Sequence, residues 1–158
     1  INISYSDIDL NKILNYYIEF FRPEAEQKNL NIVLENSVPD VCVIKFDEVK
    51  LNSILTNLIK NAIKFSDSGT ITLSCEPVVS HFKFSVKDNG IGIPDDRKKA
   101  IFDRFVQADL KGTSINQGSG LGLSITKSYV EMLGGSICLE DNEDKGSVFS
   151  FTIFPVMD

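Results

Sequence analysis

The sequence predicts a single α+β domain, and three features carry that prediction. The run Asp47–Phe65 places apolar residues at spacings of three and four, the period of a helix with one buried face. Short stretches rich in β-branched and aromatic residues, among them Leu30–Glu35, Thr70–Glu76 and His81–Lys87, read as strands. No linker-like segment and no internal repeat divides the 158 residues, so helices and strands share one core.

The elements follow in order. Leu10, Ile13, Leu14, Tyr17, Ile18 and Phe21 recur at helical spacing, so a helix is expected from Asp7 to about Asn29, capped by Ser6 or Asp7. Pro23 is expected to kink or restart it. Strands follow at Leu30–Glu35 and Val41–Phe46, with a turn at 38–40. Asp47 is placed to cap the next helix, and Ser66–Gly69 to stop it. Thr70–Glu76 and His81–Lys87 read as paired strands around a turn at Pro77–Ser80. After Pro94 a short polar helix is expected to reach Phe105. Residues 106–119 have no period and are rich in Gly, Ser, Thr, Asn and Gln, a long connection of the kind usually tied to function. Leu121–Leu133 is helical again and ends at Gly134-Gly135. Ser136–Glu140 and Val148–Phe154 close the chain as strands around an acidic turn, Asp141–Gly146.

Composition bounds the function. Hydrophobic content of 42% with 24% charged residues is that of a globular domain, and no run approaches the roughly 18 apolar residues of a membrane span. The net charge of −6 without a dense Lys/Arg block argues against nucleic acid or an anionic membrane as the main partner. An anionic ligand held by one or two lysines, loop amides and a metal ion remains compatible. Cys42, Cys75 and Cys138 are odd in number and widely spaced, which reads as buried free thiols in a reducing compartment. Residue 1 is Ile rather than Met, so the chain is expected to be part of a longer protein, with any targeting or membrane segment elsewhere in that parent.

Three groups of residues can carry chemistry. Asp88-Asn-Gly-Ile-Gly-Ile-Pro94 follows the strand His81–Lys87, so a carboxylate and two glycines, Gly90 and Gly92, stand at its mouth. Glycine permits positive φ and close approach of backbone to a ligand, and Asp88 can accept from an exocyclic purine amine; D-N-G is also a common turn. On the helix 47–65, Asn57, Asn61 and Lys64 lie on one stripe at i, i+4 and i+7. Asparagine is a mediocre helix former, its amide oxygen suits Mg²⁺, and a lysine one turn on can pair with phosphates; a solvated polar face fits equally well. Gly118-Ser-Gly-Leu-Gly122 precedes a helix, where backbone N–H groups and the positive dipole end can cradle phosphate, but the spacing is neither a P-loop nor a dinucleotide fingerprint. Lys111 and Thr113 can reach a phosphate or simply be solvated. Phe102 and Phe105 read as packing residues. His81, the single histidine, has no acid–base company, so no Ser/His/Asp or Cys/His arrangement exists.

The order of these pieces resembles a known family. Asn57-Leu-Ile-Lys-Asn61-Ala-Ile-Lys64-Phe65, Asp88–Pro94, Ile101-Phe-Asp-Arg-Phe105 and Gly118-Ser-Gly-Leu121-Gly122-Leu123 resemble the N, G1, F and G2 boxes of sensor histidine kinases, in order and over essentially the whole chain. Val106–Asp109 resembles a variant common in hybrid kinases. The resemblance implies a Bergerat-type two-layer α/β sandwich, a mixed sheet with helices on one face, binding ATP and Mg²⁺ under a lid. It implies that Asp88 accepts from adenine, with Gly90 and Gly92 allowing approach. Asn61 ligates Mg²⁺ with Asn57 beside it, Lys64 touches phosphate, and Phe65 and Phe105 line the pocket. Gly118, Gly120 and Gly122 hold the lid end near the phosphates, Lys111, Thr113, Leu121 and Leu123 are counted with the nucleotide-binding residues, and Thr152 supports Asp88 through a water. Gln107 stands where many relatives carry an arginine that helps transfer.

Asn57 also stands where gyrase-like relatives carry a glutamate base, and an amide cannot take up that proton, so slow hydrolysis of held ATP is implied. Nothing around His81 resembles a phosphoacceptor motif. The expectation is therefore a cytoplasmic catalytic domain, monomeric as this fragment. It transfers the γ-phosphoryl to a histidine on a dimerisation segment N-terminal to residue 1, in a homodimeric parent that signals to a response regulator receiver domain. The alternative is a nucleotide-binding regulatory or docking module without transfer.

Overall fold

A computed structural model of the chain describes residues 2–103, 121–143 and 145–156. Its elements are β1 (Ser6–Asp9), α1 (Leu10–Gln27), β2 (Leu30–Asn36), β3 (Val43–Phe46), α2 (Glu48–Lys64), β4 (Gly69–Val78), β5 (His81–Lys87), α3 (Leu121–Met132), β6 (Ile137–Asp141) and β7 (Ser147–Ile153). Five strands form one mixed sheet in the order β2-β4-β5-β7-β6. β2 runs parallel to β4, with α2 in the crossover between them, and the other neighbours are antiparallel. β1 and β3 form a separate antiparallel pair.

The two faces of the sheet differ in chemistry because strand side chains alternate. One face presents Ile71, Leu73, Cys75, Phe84, Val86, Phe149, Phe151 and Ile153, all buried against the apolar stripes of α1 and α2 and against Val130 of α3. Phe84 and Phe151 stack there with centroids 5.0 Å apart. Each fully buried Leu, Ile or Phe in this layer contributes about 1.5–3 kcal/mol of transfer free energy. The opposite face carries hydroxyls: Ser74, Ser85 and Ser150 align across three strands, and the Oγ atoms of Ser85 and Ser150 lie 3.0 Å apart. That face lines an open groove of about 630 Å³ rimmed by Glu35, Lys83, Lys87 and Glu140. The fold is thus the two-layer α+β sandwich the resemblance implied.

Several local expectations change. Of the three free thiols only Cys75 is buried; Cys42 is half-buried and Cys138, on the edge strand β6, is exposed. The first helix begins at Leu10, capped by Asp9, whose Oδ1 accepts from Lys12 N at 3.2 Å. Residues 6–9 are a strand instead, because Val43–Phe46 offers them a ladder. α1 runs unbroken through Pro23, which removes one donor without ending the helix. The segment after Pro94 forms two 3₁₀ turns, Asp95–Arg97 and Ala100–Phe102, rather than one helix. α2 behaves as read: Asp47 caps it, accepting from Lys50 N at 3.1 Å, and Phe65 closes it. Among the described residues no helix is long and apolar enough to cross a membrane.

Candidate functional site

Asp88 follows β5 with the same parity as Phe84 and Val86, so alternation turns its carboxylate toward the helix layer, where it is 5% exposed. Its Oδ1 accepts from Gly90 N at 2.8 Å and Ser147 N at 3.1 Å. Its own N–H donates to Ser147 O at 2.9 Å, and its carbonyl accepts from Asn142 Nδ2 at 2.8 Å. Burial pushes the Asp88 carboxyl above the usual carboxylate range, and the two backbone N–H groups pull it part of the way back. The backbone fit is close. A Cβ at Gly90 would overlap the Phe65 carbonyl. Gly146, at φ +102°, would place one over Asp88 O and within 2.6 Å of Asp88 Oδ1. Gly92 has φ +76° and ordinary space around it, so there the left-handed backbone is what favours glycine. Asn89 fastens the turn to the start of β4, its Oδ1 accepting from Thr70 N at 2.7 Å.

The stripe on α2 faces α3. Asn57 Nδ2 donates to Thr126 Oγ1 at 3.2 Å and to Gly122 O at 3.4 Å, and Thr126 Oγ1 itself donates to Gly122 O at 2.8 Å. The Asn57 amide oxygen remains an acceptor. Asn61 is half-buried on the same stripe. Lys64 is also half-buried; burial lowers the pKa of its ammonium, and Nζ lies 5.1 Å from the Phe65 ring centroid. The half-buried amide oxygens of Asn57 and Asn61 are hard donors that fit a Mg²⁺ shared with phosphates. Among the described residues no three His, Cys, Asp or Glu side chains group as a metal cage. Ser66, just past Phe65, is buried, and its Oγ has no hydrogen-bond partner among the described residues.

The structure brings Asn57 and Gly122 together, and Phe65 with Gly90 beside Asp88. Leu123 packs on the core edge, and Phe102 packs edge-on to Phe149 at 6.0 Å. Thr152 is not brought to Asp88. It has the parity of Val148 and Ser150, on the open face opposite Lys83, and its Oγ1 accepts from Ser136 N at 3.0 Å. Ser147 stands beside Asp88 instead, bonded to it through its backbone N–H and carbonyl. Sequence reading also missed Gly146 and Asn142, whose only signal was a glycine and an asparagine in an acidic turn. Phe105, Gln107, Lys111, Thr113, Gly118 and Gly120 lie outside the described residues, as does the side chain of Leu121.

A carboxylate sunk at the sheet's end beside a helix that offers amides and a lysine is the arrangement of an ATP-binding α/β sandwich. The family assignment is narrower. Residues 46–157 match the family described as histidine kinase-, DNA gyrase B-, and HSP90-like ATPase, and the chain belongs to it. It is 38% identical over 158 residues to the autoinducer 2 sensor kinase/phosphatase LuxQ of Vibrio vulnificus, a match covering 96% of this chain and 18% of LuxQ. The full-length ShkA crystal structure in complex with AMPPNP superposes with a TM-score of 0.88 at 30% identity, over 100% of this chain and 32% of that one. The catalytic domain of histidine kinase ThkA superposes at 0.83 with 29% identity, over 96% and 95%. Within the family the likeness is therefore to sensor histidine kinases, and the chain spans less than a fifth of the curated relative cited.

Proposed function

We propose that this domain binds Mg-ATP and transfers its γ-phosphoryl group to a histidine on a separate dimerisation/phosphoacceptor segment, as one part of two-component signalling. The buried Asp88 carboxylate carries the reading. Two backbone N–H groups hold Oδ1, which leaves the second oxygen to accept from the adenine amino group. Asn61, with the Asn57 oxygen beside it, would hold Mg²⁺, which when bound neutralises charge on the phosphates. Lys64, on the same stripe, pairs with phosphate. Asn57 orients α3 and takes up no proton, so held ATP survives until a protein nucleophile arrives. By the motif resemblance alone, Gly118, Gly120, Lys111 and Thr113 are assigned to the phosphates, and Gln107 matches the sequence position of a transfer-assisting arginine in relatives. The domain comprises the whole of residues 1–158. Its nucleophile comes from elsewhere, and its onward partner is a receiver domain, as the ThkA structure in complex with response regulator TrrA illustrates for that kinase.

Calorimetric titration with AMPPNP, with and without Mg²⁺, tests the reading. Binding is expected for the wild type and lost in Asp88→Asn, and its Mg²⁺-dependent part is expected to fall in Asn61→Ala. Mg²⁺-dependent transfer from ATP to an added phosphoacceptor segment would establish the kinase. Binding without transfer would instead mark a nucleotide-sensing module.

A further inference from the structure

The polar stripe of α2 does not stop at Asn57. Lys50, seven residues earlier, lies on the same line, roughly 10 Å back along the axis, and Asp47 caps the helix beneath it. Both are buried, Asp47 at 1% and Lys50 at 6% exposure. Lys50 Nζ donates to Asp47 Oδ2 at 3.0 Å and to the backbone oxygen of Asn2 at 2.6 Å. Asp47 Oδ2 also accepts from Ser4 N at 2.9 Å. On its other side, Lys50 Nζ stands 5.7 Å from the ring centroid of Tyr129 on α3. Tyr129 is one turn beyond Thr126, the residue that Asn57 holds.

We propose that Lys50 is a positioning residue that couples the N-terminal segment, residues 2–4, to α3 and so to the phosphate side of the nucleotide site. Beyond apolar packing, two polar contacts among the described residues tie α3 to α2: Asn57 holds it beside the site, and Lys50 meets the Tyr129 ring one turn further on. Of these two, Lys50 is the one that also binds the N-terminal segment. An ion pair this deep is dear to desolvate, and an apolar pair of similar size would serve packing at least as well. The pair is instead spent on two backbone groups of the chain's first described residues, which makes the position of that segment an input to α3. Drawing Asn2 and Ser4 away leaves Lys50 one acceptor short and Asp47 one donor short. The pair then re-forms around what remains, and the contact with Tyr129 changes with it.

The test is a cycle on the full chain. Ser4→Pro removes the Ser4 N–H. The double variant Asp47→Asn/Lys50→Met removes both charges while keeping a competent cap and the side-chain volume. Hydrogen exchange at the backbone amides of Ile125–Val130 is the first readout, and AMPPNP affinity the second. Ser4→Pro is expected to speed exchange in α3 and to weaken the analogue by roughly fivefold or more, the lower end of ordinary inter-site coupling. In the Asp47→Asn/Lys50→Met background it is expected to add nothing. Equal effects of Ser4→Pro in both backgrounds, or exchange changes confined to residues 2–9, would overturn the coupling. The affinity arm rests on the nucleotide-binding reading. A wild type that binds no analogue overturns that reading alone, and the exchange arm still decides the role of Lys50.

Discussion

The Asp88 corner and the α2 stripe border one site but are built from different material. The corner is mostly backbone: Gly90 lies on the Phe65 carbonyl, Gly146 on Asp88, and the one side chain, the Asp88 carboxylate, is held by the N–H groups of Gly90 and Ser147, with a main-chain bond from Asp88 N to Ser147 O beside them. The stripe is side chain: Asn57, Asn61 and Lys64 project from a helix whose own bonds do not depend on them. A corner made of backbone is preformed and intolerant. A stripe made of side chains can be edited one group at a time. Stability and binding should therefore respond together in the first region and separately in the second.

The sharpest way to break this contrast is Gly146→Ala. At φ +102° with Asp88 in the way of a Cβ, the left-handed strain and the overlap together cost about 3 kcal/mol. Urea unfolding should show that loss, and nucleotide binding should fall with it. Asp88→Asn separates the two properties within the corner itself. Because burial raises the Asp88 carboxyl, its contribution to stability is present below the ordinary carboxylate range and is lost as pH rises through the raised value. The wild type should therefore lose stability relative to Asp88→Asn as pH rises from about 4 toward 7. The variant should be at least as stable near neutrality while binding no AMPPNP.

On the stripe, Asn57→Ala loses two bonds to α3 and gains helix propensity. Its stability should stay within about 1 kcal/mol of the wild type, while the Mg²⁺-dependent part of analogue affinity falls. A large melting shift in this variant would erase the distinction between the regions. The smallest effect on binding is expected for Thr152→Val. That side chain serves Ser136 N on the open face, so the change costs about 1 kcal/mol of stability and leaves AMPPNP affinity unchanged.

What the sequence revealed follows from range. α2 was legible nearly to the residue, because a cap, a period and a stop all lie within one local window: Asp47, the apolar stripe and Ser66–Gly69, just past the observed end at Phe65. The asparagine stripe was legible for the same reason. The corner was not, since Ser147 meets Asp88 across 59 residues and Asn142 across 54. Thr152 was misassigned because a resemblance carries no strand parity, and parity alone sends it to the far face. β1 was hidden by its own composition. Ser6 and Asp7 are good caps, and only the distant Val43–Phe46 makes a strand of them.

One contact at the far end of α2 bears on how an anion meets this domain. Lys28, at the end of α1, sends its Nζ to the carbonyls of Ile63 and Lys64 at 2.7 and 3.2 Å. Those are among the last carbonyls of α2, where the summed peptide dipoles leave about half a negative charge. On the proposed reading, a triphosphate lying along Asn57, Asn61 and Lys64 would approach that negative pole rather than the welcoming one. Lys28 covers the pole with a full positive charge from behind, which would turn the repelling end of the helix into ground that a polyanion can approach.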